Sequence, residues 1–404
     1  MTPPPPAVTI VNRHYPPNPG ITGETAWDLA TYLINEQGIR VVVVHIDRTY
    51  DGGGSVRQPI GETHPVRSVY TGKNGLLKLV SGLLDGWFLI RKAIQVRQGP
   101  VIVMTSPPLL PFWAARLLTP RRIDWWLWSM DLFPEGFVAD QKISPRNPVY
   151  RWVIQQTYRR APHHLIALGP QQGKYIRQKY GQPDLPTTVL PCGVLLHHER
   201  DPNTPAWRQN DGKIYLGYVG NLGQPHSAEF LLSVIRHLDP ARFQLILVLY
   251  GQKADEVIRV ATGRVGITLL PTVPRSQLAY VDVQLVSLLP SWTHIAVPSK
   301  AVSAVCAGSP VLYCGSRESD TYALLEEAVF LIETERPIDE QVANFLQVLT
   351  TETVEDKKRA AQRVAARLQR MITDAYAYLA SQIRNWGNLQ ETDSKIPPTP
   401  QRGL

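Results

Sequence analysis

The chain has 404 residues, 44% of them hydrophobic and 19% charged, enough to bury two sizeable cores. Its three cysteines, Cys192, Cys306 and Cys314, are odd in number and form no CxxC, which speaks against a disulfide framework or structural zinc site and for small buried apolar residues. The net charge of +8 is uneven, with 22 Lys+Arg against 13 Asp+Glu in residues 1–200 and 20 against 21 in the rest; such a basic half serves solubility or an anionic partner, and no helix-turn-helix, zinc-finger or stacking-sheet signature points to nucleic acid.

Thr2 to Pro6 is Pro-rich, without the charged-then-apolar pattern of a signal peptide. No apolar run reaches the ~18 residues that a membrane span needs. The expected location is therefore the cytoplasm, with peripheral attachment to the inner face of a membrane. Ala7–Asn12 is a short apolar run, read as a buried strand. It leads into a Gly/Pro loop from His14 to Gly23. Glu24 to Gln37 places Ala26, Leu29, Ala30, Leu33 and Ile34 on one helical face, and Gly38 ends the helix. Arg40–Ile46 is a second buried strand, which completes a parallel crossover unit.

The alternation continues. Helices are expected over Gly75–Gln98, Phe112–Leu118, Pro148–Arg160 and Pro170–Tyr180, and strands over Pro100–Thr105, Ile123–Ser129, His164–Leu168 and Thr188–Leu190. Polar residues 197–212 read as a linker. A second set follows, with strands at Ile214–Val219, Phe243–Tyr250, Ile267–Leu269, Val283–Leu288 and Pro310–Tyr313. Its helices are Ser227–Leu238, Lys253–Thr262, Pro274–Tyr280, Lys300–Ala307 and Tyr322–Ala328. The predicted fold class is α/β, two Rossmann-like doubly wound domains over residues 1–196 and 213–350 that face a cleft. A long Arg- and Ala-rich helix at 355–385, within a segment 351–388, precedes a disordered tail at 389–404.

Four places could carry chemistry. The loop from His14 to Gly23 opens a helix, so its backbone N–H groups can face an anion, although it is not GxGxxG and also suits an ordinary connection. Gly220-Asn221-Leu222-Gly223 follows a strand, where glycine lets the backbone approach a phosphate and Ser227 can cap the next helix. Val297-Pro298-Ser299-Lys300 opens a helix with Ser299 as the expected N-cap. Lys300 in its first turn opposes the helix dipole by roughly a few tenths of a kcal/mol. A bound pyrophosphate would reverse that; a solvated surface lysine is the other reading. Last, the apolar run Trp125–Trp128 leads to Asp131 and Glu135, carboxylates at the cleft mouth. The tryptophans fit a strand buried on both faces, or a membrane anchor.

The order of Thr105-Ser-Pro-Pro108, Met130-Asp-Leu-Phe-Pro-Glu135, Gly217 to Gly223, Val297 to Lys300 and Ala307 to Leu312 resembles glycosyltransferase family 4 of the GT-B fold, in its surface-polysaccharide branch. The resemblance spans residues 8–335. It implies retaining transfer from a nucleoside-diphosphate sugar to a glycan or lipid-linked acceptor, with no cofactor and no metal ligands. It places Gly23, Gly220, Asn221, Gly223, Ser299, Lys300 and Ser303 at the donor. His14, Asp131 and Glu135 fall on the acceptor side, with Asp131 and Lys300 catalytic. The long terminal helix would return to the first domain. Many family members have Arg at position 221 and Glu at 295 and 303, where this chain has Asn221, Ile295 and Ser303. A non-catalytic sugar-nucleotide-binding partner of another transferase, or an epimerase on the same fold, are the alternatives.

Overall fold

The computed structural model describes residues 5–18, 20–47, 57–68, 75–196 and 200–394. In the first half the elements run β1 (Ala7–Val11), α1 (Ile21–Asn35), β2 (Arg40–Asp47), β3 (Glu62–Arg67), α2 (Gly75–Val96), β4 (Val101–Met104), α3 (Leu110–Leu117), β5 (Trp125–Trp128), α4 (Glu135–Ala139), α5 (Pro148–Tyr158), β6 (His164–Ala167), α6 (Pro170–Tyr180) and β7 (Thr187–Val189). The second half runs β8 (Ile214–Asn221), α7 (Ala228–His237), β9 (Phe243–Tyr250), α8 (Ala254–Ala261), β10 (Ile267–Leu269), β11 (Val283–Ser287), α9 (Ser299–Cys306), β12 (Val311–Gly315), α10 (Asp320–Leu325), β13 (Val329–Glu333), α11 (Ile338–Val348) and α12 (Thr351–Ser394).

Every strand pairing is parallel. The seven-stranded sheet has the order β3-β2-β1-β4-β5-β6-β7 and the six-stranded sheet β10-β9-β8-β11-β12-β13. The runs VVVVHI, VIVM and WWLW are buried along their length because helices cover both faces of such a sheet. The direction of winding reverses between β1 and β4, and again between β8 and β11. Ligands of doubly wound sheets collect beyond the strand ends at these reversals. The His14 loop and the Gly220 loop stand at those two places.

Two apolar layers flank the first sheet. One, with α1, takes up Ile372, Tyr376, Leu379 and Ile383 of α12. The other, with α2 and α3, continues through Trp292, Ala301 and Val305 of the second half to Ala361, Val364 and Leu368 of the same helix. One apolar cluster therefore joins both halves, and α12 packs on α9 as well as on α1 and β1.

The structure corrects several sequence expectations. The first helix starts at Ile21, so Gly23 belongs to its first turn and not to the loop. Residues 275–280 form a 3-10 helix, and the last helix reaches Ser394, through part of the expected tail. Residues 197–199 of the expected linker and 395–404 of the tail lie outside the described residues. Residues 200–212 lie against the second half: Asp201 N–H donates to Ser276 O (3.0 Å), and Arg208 pairs with Asp282 (2.6 Å) while covering the Tyr215 ring. The strand Glu62–Arg67, the short helix at Glu135 and the pair β13–α11 were not expected.

Candidate active site

The second-domain wall is built where β8 ends. Gly220 has φ of +129°, a conformation open to glycine, and the nearest atom to an added Cβ is Lys300 Nζ at 4.0 Å. Lys300 Nζ donates to the Tyr218 hydroxyl and the Asn221 carbonyl, each at 2.7 Å, and lies 4.3 Å from the Tyr218 ring centroid. Burial pulls its pKa down to about 7. The ammonium is thus held by two acceptors, neither of them a carboxylate, and keeps one N–H donor for a ligand.

Ser299 is the first residue of α9 and Pro298 its cap, with no side-chain cap bond, so the expected Ser299 N-cap is corrected: proline already fixes the entry to the helix. Ser303 lies one turn on, and its hydroxyl donates to Gly193 O at 2.8 Å. It also lines a cavity of about 720 Å³ between α1, residues 193–196, Arg275 and α12. There the buried Glu24 pairs with Arg275 of the second domain at 2.8 Å.

Two residues that sequence reasoning missed hold the Gly223 loop. His226 Nδ1 is 2.5 Å from Ser287 O, and burial, aided by the Lys300 charge, lowers its pKa to about 3, so the ring is neutral. Lys253 Nζ donates to Gln224 O and His226 O at 2.8 and 2.7 Å. Ser227 accepts from Phe230 N–H at 3.2 Å, the cap expected for α7. The loop is thus fixed without a ligand, and only the His and Lys themselves could have signalled it.

The first-domain wall is the turn after β5. Met130 N–H donates to Thr105 Oγ1 (2.9 Å), Gln172 Nε2 to Met130 O (2.9 Å), and Leu132 N–H to Ile295 O of the second domain (3.0 Å). These bonds fix the turn that carries Asp131 just beyond the end of β5. Its side chain is open to solvent, yet protein surrounds it closely enough to push its carboxyl up to about 6. Across the cleft the Asp140 charge reaches Lys253.

His14 accepts a bond on its carbonyl from Asn12 Nδ2 (2.7 Å) and lays its ring against Gly20. A Cβ on Gly23 would stand 2.9 Å from the His14 carbonyl carbon, so glycine there answers a packing need. Glu135 is a correction. It is 3% exposed, accepts the Tyr158 hydroxyl at 2.6 Å, and has its pKa raised by burial. It is turned into the protein, while His14, Asp131 and Gly223 lie in the loops after β1, β5 and β8, Gly220 and Asn221 at the end of β8, and Ser299, Lys300 and Ser303 on α9. All three cysteines are buried and free.

Residues 22–193 match the family described as "Glycosyl transferase 4-like domain". The probable glycosyltransferase WbjE of Pseudomonas aeruginosa is 23% identical over 272 residues, which is 63% of this chain and 66% of the relative, just under two thirds of its length. Sucrose-phosphate synthase from Thermosynechococcus elongatus superposes with a TM-score of 0.68 at 15% identity, covering 94% of this chain and 98% of that one. WaaG, a glycosyltransferase involved in lipopolysaccharide biosynthesis, gives 0.64 at 13%, with coverage of 93% and 99%. HepE from Anabaena, solved in complex with UDP, gives 0.64 at 13%, with 94% and 100%. The fold is thus the GT-B arrangement of two facing Rossmann-like domains. Residues 22–193 thus resemble a glycosyl transferase 4-like domain, set within a chain that has the GT-B fold throughout.

Proposed function

We propose that this glycosyltransferase moves a sugar from a nucleoside-diphosphate sugar to a glycan or lipid-linked acceptor of surface-polysaccharide assembly, with retention at the anomeric carbon. The observation that carries the reading is Lys300, a cation held by the Tyr218 hydroxyl and the Asn221 carbonyl beside the open backbone of Gly220. As the anomeric C–O bond to the diphosphate breaks, negative charge grows on the leaving oxygen. Lys300 and the loop amides of Gly220 to Gly223 would stabilise that charge in place. The acceptor oxygen bonds to the anomeric carbon from the same face, and its proton passes to the departing phosphate, so no strong protein base is needed. Asp131 would orient the acceptor hydroxyl. The nucleoside half would extend from Lys300 past Ser303 into the neighbouring cavity.

The same reading sets the enzyme at the cytoplasmic face of an anionic membrane, which the basic first half suits. No described helix is long and apolar enough to cross a membrane. The test is a thermal-shift and hydrolysis screen across UDP-, GDP- and dTDP-sugars. A donor at 100 times its dissociation constant adds ~2.7 kcal/mol of stability. If none of them raises the melting temperature at millimolar concentration, the donor site is wrongly assigned. Binding without hydrolysis or transfer would favour the non-catalytic partner.

A further inference from the structure

The winding of the second sheet reverses between β8 and β11, and the loop that follows β8 is tied across that reversal. Three bonds sew the loop to the end of β11. Leu289 N–H donates to Pro225 O (2.8 Å), His226 Nδ1–H to Ser287 O (2.5 Å), and Ser227 N–H to Ser287 Oγ (2.9 Å). Lys253 Nζ also donates to His226 O (2.7 Å). The imidazole is thus fixed at its backbone and at one ring nitrogen, and only 9% of the residue is exposed.

That fixation leaves the other nitrogen with one defined role. Nδ1 carries the proton, so Nε2 of the neutral ring can only accept. Among the described residues no group bonds to Nε2, and it is not sealed from solvent. The charges of Lys300 and Lys253 both bear on the ring and, with burial as the larger cause, keep it neutral. The ring stands edge-on to Tyr218, with centroids 6.5 Å apart, and the Tyr218 hydroxyl takes a bond from Lys300. An open lone pair therefore lies beside the groups that would hold the diphosphate. Phosphate oxygens are acceptors themselves and cannot satisfy it. The first O–H or N–H along a sugar nucleotide, counted from the phosphate towards the sugar, is on C2, next to the anomeric carbon.

We propose that His226 Nε2 reads the substituent on C2 of the transferred sugar, accepting a hydrogen bond from its hydroxyl or acylamino N–H. The inference rests on the donor reading given above and narrows it: the substrates are sugar nucleotides with a hydrogen-bond donor at C2, and 2-deoxy sugars are disfavoured. A 2-deoxy sugar would cover the lone pair without bonding to it, and an acceptor shut away from water without a partner is the costly half of an unmade bond. The part played by His226 is selection and not proton transfer, because a ring held neutral this firmly is a weak base.

The experiment is calorimetric titration of the full chain with UDP, GDP and dTDP, with their glucose nucleotides and GDP-mannose, and with the 2-deoxy analogue of each sugar. Wild type should bind the parent sugar nucleotide about tenfold more tightly than its 2-deoxy analogue. His226→Asn keeps a donor for Ser287 O and is too short to replace Nε2. It should bind the parent about tenfold more weakly, bind the free diphosphate as wild type does, and no longer distinguish the 2-deoxy analogue. His226→Gln carries an amide oxygen at about the reach of Nε2 and should restore parent affinity to within roughly threefold of wild type. If the ring serves only to hold the loop, His226→Asn will match wild type towards every ligand, which overturns the proposal. An equal loss of diphosphate affinity also overturns it, since the ring would then be protonated on binding and donate to phosphate. Equal binding of parent and 2-deoxy sugars by wild type overturns it and leaves the donor site standing. If no diphosphate and no sugar nucleotide binds, the donor site falls and the inference falls with it.

Discussion

At the scale of single residues, the two walls of the cleft make separable demands. Lys300→Ala removes a charge-assisted contact worth ~1.5–3 kcal/mol, so nucleotide affinity and turnover should both fall about ten- to a hundredfold. Asp131→Asn keeps the size and removes the charge, so nucleotide affinity should stay near wild type while transfer falls. Nucleotide titration and transfer assays of the two variants side by side check this, and equal loss of nucleotide binding in both would refute a two-sided site. The pH dependence follows from the same pair. Asp131 titrates at about 6 and is needed as carboxylate, so kcat/KM should rise as pH passes upward through that value. Lys300 titrates at about 7 and is needed as ammonium, so kcat/KM should fall above it as binding comes to require proton uptake. Asp131→Asn should abolish the acid limb alone; a flat wild-type profile would remove both groups from the mechanism. Asp131 was legible in the sequence as a charge just past a strand end, and Lys300 as a charge in the first turn of a helix. The same signal misled at Glu135, because nothing local to it announces Tyr158, 23 residues on, as its partner. His226 and Lys253 act through loop carbonyls, which leave no trace in residue type.

At the scale of elements, α6 begins without a side-chain cap of its own, and Asp320 of α10 supplies one from the other domain. Asp320 is fully buried and accepts from Gln171 N–H at 2.8 Å and Gln172 N–H at 2.7 Å. Gly169 makes room, since a Cβ there would overlap the Asp320 carboxyl. Asp320→Ala should cost ~1–3 kcal/mol by leaving two helix N–H groups unpaired, and Gly169→Ala a similar amount by overlap. In the double variant the overlap has no partner, so its cost should be well below the sum. Chemical denaturation of the four proteins measures it, and strict additivity would show the contact to be incidental. The sheets themselves were legible because strands buried on both faces read as unbroken apolar runs. The strand Glu62–Arg67 was not, for it is a half-exposed edge strand, rich in polar residues and carrying Pro65, where ladder bonds on one side are not needed.

At the scale of the whole molecule, α12 is 44 residues, roughly 66 Å of helix. Its first half enters the cluster that links the two domains, and its second half lies on α1 and the first sheet. With one cluster crossing the domain boundary, calorimetry should give a single unfolding transition, the van't Hoff enthalpy matching the measured heat. Two resolved transitions would mean that the halves are energetically independent.

The same helix has a consequence for the order in which the chain is born. Leu29, Leu33 and Ala26 of α1 share their apolar layer with Tyr376, Leu379 and Ile383. A ribosome releases the first domain long before it releases its lid. Until α12 is made that face is bare, and the earlier domain carries an unfilled apolar groove through the whole synthesis of the second. The fold is sequential in its sheets and circular in its closure: of the two domains, the one made earlier is completed later.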